Sequence, residues 1–150
     1  FKTGWPKQTD DNGARGHLGS DSLSPAHENL YRLGPVYAAA GNMNGSLYDQ
    51  AALLQQLLLA LSHQHPELSR MEAEMLLFGL PQYAFGWGHD LKFAGRRAYH
   101  DGSAGTFYTR WVVYEDFQRA FVICANSASP ATTEAINDLQ KELEKRFLTD

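Results

Sequence analysis

The chain has 150 residues, a formal net charge of -4 and an apolar fraction of 43%, as expected for one packed globular domain. A nucleic-acid-binding surface would need a basic stripe, and the sequence offers only short pairs such as Arg96-Arg97. No run approaches the ~20 apolar residues of a membrane helix. The composition therefore argues against a nucleic-acid partner and against a transmembrane segment in this chain.

Residues 1–45 are punctuated by glycine and proline and show little periodicity. We predict ordered loops and short strands here, with a tight turn over residues 10–13, where an Asn-Gly step occurs. The chain opens on Phe1–Pro6, without an initiator methionine or a signal peptide. We therefore expect it to be part of a longer protein.

The first clear helical pattern runs from about Leu47 to Ser62. Ser46 is a good N-cap, and Asp49 three residues later completes a capping-box pattern. Leucines and alanines recur at helical spacing along one face. His63 and His65 follow the helix, and we interpret them as favourable groups at a helix C-terminus and not as metal ligands. No metal site is predicted.

A second, shorter helix follows. Ser69 is its N-cap with Glu72 three residues on, and it ends near Phe78, before Gly79 and Pro81. Its apolar residues, which include Met71 and Met75, are predicted to be packing residues.

Strand patterns begin at residue 83. Residues 83–88 alternate large and small side chains and predict one strand, whereas residues 106–114 and 118–125 predict a hairpin. Cys124 lies in the second of these runs and is interpreted as a buried, inert thiol. A last helix begins at Pro130 with Ser129 as its cap. Together these elements predict an α+β fold in which an antiparallel sheet is packed by a C-terminal helix, with further helices.

Residues 99–106 concentrate polar groups and glycines beside an apolar strand. At period two, His100 and Gly102 share one face of a strand and Asp101 takes the other. Gly102 would let another backbone approach, and the N–H of Ser103 could stabilise an oxyanion. The alternative is a histidine that ends a strand before a glycine-rich bulge. On the residues alone, both interpretations stand.

Several stretches of the chain, in order, resemble the serine β-lactamase and penicillin-binding-protein-like hydrolases. That family includes class C β-lactamases, D-alanyl-D-alanine carboxypeptidases and esterases. His100-Asp101-Gly102 stands where the family carries Lys-Thr-Gly or His-x-Gly, followed by Gly105. The other similar stretches are Phe1–Pro6, Ala40–Met43, Ser46–Asp49, Phe85–Trp87 and Ala125–Ser127 before the last helix.

The resemblance covers nearly the whole chain and implies that residues 1–150 are the C-terminal portion of one β-lactamase-like domain. It implies amide or ester hydrolysis of a small or peptide-like substrate through an acyl-enzyme, without a cofactor. His100, Gly102 and the backbone of Ser103 are the catalytic-site residues carried over from the family. Asp101 takes the variable middle position of the motif, where an acid is unfavourable for recognising a substrate carboxylate.

His100 would bind or polarise the substrate or relay a proton. A histidine side chain can change its charge near neutral pH, so we expect the rate of the intact protein to vary with pH. Members of the family are often exported to the periplasm or secreted, but no residue of the chain assigns its compartment.

The chain departs from the family pattern, because no serine is followed by lysine three residues on and no Tyr-x-Asn or Ser-x-Asn motif occurs. Both motifs belong in the preceding part of the family's chain. We therefore expect this chain alone to be inactive and to need the N-terminal part of its own protein. One alternative is a non-catalytic protein of the same fold that binds a peptide or protein partner. Another is an unrelated α+β ligand-binding domain, with His100 buried away from any cleft.

Overall fold

The computed structural model of the chain describes residues 2–3, 14–19, 21–22, 34–41, 43–90, 95–103 and 105–148. An antiparallel sheet with helices packed on it forms the main body, which confirms the predicted α+β class. The tight turn predicted over residues 10–13 lies outside the described residues.

Short elements precede the main body, as the sequence predicts. Strand β1 (Lys2–Thr3) pairs with β4 (Met43–Asn44), and between them β2 (His17–Leu18) pairs with β3 (Asp21–Ser22). A 3-10 turn at Pro35–Tyr37 leads into the one-turn helix α1 (Ala38–Gly41). The N–H of His17 donates to the carbonyl of Asn126 at 2.8 Å, which attaches β2 to the end of the main sheet.

Five strands form the main sheet, and each pairs antiparallel with the next strand along the chain. They are β5 (Tyr83–Ala84), β6 (Trp87–Asp90), β7 (Arg97–Ser103), β8 (Tyr108–Tyr114) and β9 (Arg119–Ala125). The β8–β9 pair confirms the hairpin predicted after residue 106. Because every neighbour in space is also a neighbour in sequence, short connections suffice to build the sheet.

Residues 83–88 are a hairpin and not the single strand that their alternation predicts. Strands β5 and β6 are joined by the two-residue turn Phe85-Gly86, whose φ angles are 46° and 97°. Positive φ at both central residues is the geometry whose twist matches antiparallel strands. Gly86 adopts it freely, whereas it costs Phe85 about 1–2 kcal/mol. The small residues of the pattern mark the turn and not one face of a strand.

Helices α2 (Leu47–Leu61) and α3 (Arg70–Phe78) begin at the predicted N-caps. The hydroxyl of Ser46 accepts the N–H of Asp49 at 3.2 Å, and the Asp49 carboxylate accepts the N–H of Ser46 at 2.9 Å. Hydrogen bonds from the N–H and the hydroxyl of Ser46 to the Asp49 carboxylate hold the pKa of Asp49 below its usual value. Ser69 and Glu72 form the same reciprocal pair, and the hydroxyl and N–H of Ser69 lower the pKa of Glu72.

The two faces of the sheet have separate cores. Helices α2 and α3 cover the face that we call the helix-pair face. Helix α4 (Pro130–Phe147), capped by Ser129 as predicted, covers the opposite face, which we call the C-terminal face. The buried side chains of the helix-pair face are Leu54, Leu57, Ala60, Leu61, Ala73, Leu77, Ala98 and Val113. On the C-terminal face, Val112, Tyr114 and Leu148 form one cluster of buried side chains.

Several side chains predicted to be packed are exposed instead. In α3, Met71, Met75 and Leu76 are 75%, 52% and 36% exposed, because Ala73 and Leu77 form the face that α3 turns to the sheet. Cys124 is also exposed, since only the first turns of α2 reach the end of β9. The prediction that the Cys124 thiol is buried is therefore wrong.

Tyr114 is the buried polar group of the C-terminal face. Its hydroxyl donates to the Glu144 carboxylate of α4 and accepts the side-chain N–H of Gln140 at 3.2 Å. Burial, reinforced by the negative charge of Glu144, raises the pKa of Tyr114 well above its usual range.

This raised pKa predicts a loss of stability in alkaline solution. A tyrosine in the unfolded chain loses its proton near pH 10, whereas folded Tyr114 keeps it, so the free energy of unfolding falls above that pH. Above pH 10, Tyr114 is expected to lower the free energy of unfolding by up to about 1.4 kcal/mol for each pH unit. Tyr114→Phe removes this contribution while the other tyrosines remain in both proteins. Urea unfolding from pH 8 to 11.5 should show the gap between wild type and Tyr114→Phe narrowing above pH 10; a constant gap would contradict the prediction.

Candidate functional site

All three predicted site residues lie on β7. His100 is in the middle of the strand, Gly102 follows on the same face, and Ser103 is its last residue. The alternative of a histidine that ends a strand is therefore wrong, because β7 runs from Arg97 to Ser103 on either side of His100. As predicted, His100 and Gly102 share one face and Asp101 lies on the other.

The imidazole of His100 is held by the β5–β6 hairpin. Its Nδ1 lies 2.6 Å from the carbonyl oxygen of Gly86. A carbonyl oxygen only accepts hydrogen bonds, so Nδ1 carries the hydrogen. In the neutral ring, Nε2 is then left as an acceptor. The hairpin turn thus selects the tautomer that presents a basic nitrogen.

Two tryptophans flank the imidazole on the helix-pair face. The ring centroid of His100 lies 6.1 Å from that of Trp87 and 5.9 Å from that of Trp111. The indole N–H of Trp111 donates to Gln50 of α2 at 2.8 Å, which fixes the ring and ties α2 to the site. The half-buried His100 therefore has one ring nitrogen bound and its faces packed, and it keeps little rotational freedom.

Gly102 leaves space beside the free nitrogen. A Cβ built at this position would lie 3.8 Å from Nε2 of His100, the one heavy atom near it among its described neighbours. A larger side chain would occupy the approach from the strand edge to the imidazole. The glycine therefore fits the predicted role of admitting another backbone.

Along β7, successive residues direct their backbone N–H and C=O groups alternately to β8 and to the side of β6. The N–H of Glu115 donates to the carbonyl of Arg96 at 3.0 Å, in register with the β7–β8 ladder. Hydrogen-bonded pairs alternate along an antiparallel ladder. The even-numbered residues 96–102 therefore bond to β8. The N–H and C=O groups of the odd-numbered residues 97–103 face the opposite side.

On that opposite side, β6 accompanies β7 only as far as Tyr99. Gly88 pairs with Tyr99, and the chain then turns away at Phe85-Gly86. Asp101 and Ser103 consequently have no strand partner within the described ranges. Their outward N–H and C=O groups form what we call the open edge, to which an extended ligand could add as a strand. The N–H of Ser103 points out of this edge, as a role in oxyanion binding requires.

The side chain of Asp101 does not share the space of His100. On the C-terminal face it makes a bidentate pair with Arg110, at 2.7 and 2.9 Å. These hydrogen bonds raise the pKa of Arg110, which also donates to Asn137 of α4 at 2.6 Å. Asp101 therefore ties β7 to α4, and its paired charge is less repulsive to a substrate carboxylate than the sequence suggests.

Sequence reasoning missed the residues that hold His100 in place. Gly86 was recognised only as part of a similar stretch, and nothing marked Trp111 or Gln50 as neighbours of the histidine. The two-residue turn was the available signal, because an aromatic-Gly step between short strand patterns is compatible with a hairpin. The imidazole contacts depend on the pairing of strands and on helix packing, which local patterns do not encode.

Two cavities open on the C-terminal face of the sheet. The larger, about 340 Å³, lies between the sheet and α4, and its charged groups bind one another: Arg110 pairs with Asp101, and Arg97 with Glu144 at 3.5 Å. It is therefore part of the helix–sheet interface. The smaller, about 210 Å³, adjoins His100 and the open edge. His100 is one of the residues that line this smaller cavity, although its imidazole lies on the helix-pair face with Trp87 and Trp111. The alternative of an unrelated α+β ligand-binding domain stays a prediction.

No protein-family model, curated protein or solved structure matches the chain. Within the described ranges, no group of three or more His, Cys, Asp or Glu side chains could hold a metal ion. His65 instead accepts the backbone N–H of Leu68 at 2.7 Å, a turn contact. No helix in the same ranges is both long and apolar enough to cross a membrane. The function must be argued from the His100 site itself.

Proposed function

We propose that the chain forms the substrate-side wall of a β-lactamase-like serine hydrolase that cleaves amides or esters through an acyl-enzyme. The open edge of β7 carries the proposal. It presents the N–H of Ser103 outward, one residue beyond Gly102 and on the same strand as a histidine of defined tautomer. An N–H that can stabilise an oxyanion and a nitrogen that can accept a proton, beside an open strand edge, are two of the groups that acyl transfer uses in addition to its nucleophile.

In the proposed reaction, a peptide-like substrate lies along the open edge. A serine hydroxyl attacks its carbonyl carbon and gives its proton to a neighbouring base, and the carbonyl oxygen becomes an oxyanion. The N–H of Ser103 stabilises that charge. Nε2 of His100 accepts a hydrogen bond from the substrate or relays the proton. The leaving group departs with a proton, and water then hydrolyses the acyl-serine.

The attacking serine lies outside these 150 residues, because the sequence contains no Ser-x-x-Lys motif. Fluorophosphonate labelling tests this assignment. We expect no labelling of the chain alone and labelling of the intact protein at a serine that precedes Phe1. Ser103→Ala in the intact protein is the control and should be labelled like wild type, since only the backbone of Ser103 is assigned a role. Labelling of the isolated chain would overturn the proposal.

A binding protein of the same fold is the alternative, and the open edge of β7 is the observation that supports it. The open edge would then hold a peptide or partner strand without chemistry. The residues encoded before Phe1 distinguish the two. Ser-x-x-Lys and Tyr-x-Asn there support the hydrolase, and their loss supports the binding protein.

A further inference from the structure

The smaller cavity lies between two exposed tyrosines on the C-terminal face. Tyr83, Gly88 and Tyr99 stand opposite one another on β5, β6 and β7 and so form one row across the sheet. Tyr83 is 60% and Tyr99 38% exposed. Two aromatic side chains therefore border a central position that has no side chain.

The glycine at the centre of the row is required by the ring of Tyr99. A Cβ built on Gly88 would lie 2.7 Å from Cζ of Tyr99, much closer than any ordinary contact. The ring thus lies over the backbone of β6 and presents a face to the cavity. At the bottom of the hairpin, a Cβ on Gly86 would meet no atom within 4 Å. Together these features make a flat aromatic platform beside open space.

The platform suits a neutral planar group better than a cation. Flat aromatic surfaces bind other rings by offset or edge-to-face stacking. The Arg97 guanidinium lies 5.9 Å from the Tyr99 ring, and its charge is already paired with Asp90 at 3.2 Å and Glu144 at 3.5 Å. The nearby Asp101 carboxylate is already neutralised by Arg110. An aromatic side chain is therefore the occupant that the surrounding charges favour.

The cavity is continuous with the open edge through Asp101, which lines it. Residues opposite each other in paired strands point to the same face. A ligand residue that pairs with Asp101 would therefore project onto the C-terminal face, beside Tyr99. We propose that the Tyr83–Tyr99 cavity is a subsite for an aromatic side chain of the peptide-like ligand. The placement of the ligand rests on the proposed function, in which the ligand pairs as a strand with the open edge. The cavity itself does not depend on that proposal.

The test begins with p-cresol, an analogue of an aromatic side chain, titrated into the ¹⁵N-labelled chain. We expect saturable shifts of the amide signals of Gly86, Gly88 and Asp101. Tyr83→Ala and Tyr99→Ala should each weaken binding about 3–10-fold. Tyr48→Ala, which replaces an 85% exposed tyrosine on α2, is the control and should bind like wild type. Urea unfolding of each variant confirms that it is folded, and Tyr83→Ala, at the more exposed position, is the safer of the two.

The outcomes separate this subsite from the proposed function. No saturable shift with p-cresol, or equal binding by Tyr83→Ala and wild type, would overturn the subsite. A second titration uses N-acetylated tripeptide amides with phenylalanine or alanine in the middle. Shifts at Ser103 with both peptides, but tighter binding of the phenylalanine peptide, would support both proposals. Equal affinity would overturn the subsite alone. Binding of p-cresol, with no shift at Ser103 from either peptide, would overturn the edge pairing and leave the cavity as an aromatic site.

Discussion

In the intact protein, Ser103→Pro is expected to lower kcat of the proposed hydrolysis by about 10²–10³-fold, because it removes the N–H assigned to the oxyanion. The group lost faces the open edge and takes no part in the β7–β8 ladder, which bonds through the even-numbered residues. Proline is tolerated at such edge positions. The loss should appear in kcat more than in KM, since the charge develops only in the transition state. Steady-state hydrolysis of p-nitrophenyl acetate measures both constants.

Ser103→Ala is the matched control, because it removes the hydroxyl and keeps the N–H. In the structure that hydroxyl accepts the N–H of Gly105 at 3.1 Å, an exposed turn contact. We expect kcat of Ser103→Ala to stay within about threefold of wild type. This corresponds to a loss of transition-state stabilisation below about 1 kcal/mol. Equal losses in the proline and alanine variants would assign the effect to the hydroxyl. A proline variant with wild-type kcat would show that the N–H is not an oxyanion donor.

Glu115→Ala is expected to lower the free energy of unfolding by about 3–4 kcal/mol, the largest stability effect that we predict. The Glu115 side chain is only 7% exposed and binds Arg70 at 2.7 Å and Arg96 at 3.0 Å. It joins the start of α3 and the residue before β7 to the β8–β9 turn. Removing it leaves two neighbouring arginines without their buried counter-charge. Urea unfolding at pH 7 measures the loss.

Glu74→Ala is the control for this cluster. The Glu74 carboxylate binds the same two arginines, at 2.9 and 3.2 Å, but its side chain is 36% exposed. Water screens such a pair, so the expected loss is below about 1 kcal/mol. If the two variants lost equal stability, burial of Glu115 would not be what makes its ion pairs strong.

The helices and long strands were predictable because their signals are local. Ser46 with Asp49 and Ser69 with Glu72 mark helix starts within four residues, and both caps form as predicted. The β8–β9 hairpin follows from two apolar runs separated by a short acidic turn. In each case, the sequence within about ten residues contains the whole of the physical cause.

The features that define the site were not predictable in this way. The left-handed φ of Phe85 is unfavourable for an aromatic residue and persists because the strands on either side pair. The hydrogen bond from His100 to Gly86 depends on that turn. The pair of Asp101 with Arg110 depends on which strand lies beside β7. The motif predicts the candidate site, whereas the tautomer of His100 and the open edge follow from tertiary structure.

The attachment of β2 to the main sheet has a consequence for the order of folding. His17 and Asn126 are 109 residues apart, and closing a loop of that length costs about 4 kcal/mol of chain entropy. The main sheet needs no such loop closure, because each of its strands pairs with the next one across a short connection. While the chain is still unfolded, the few hydrogen bonds at His17 do not offset this entropic cost of loop closure. The hairpins therefore assemble first, and β2 docks only on a sheet that has already formed.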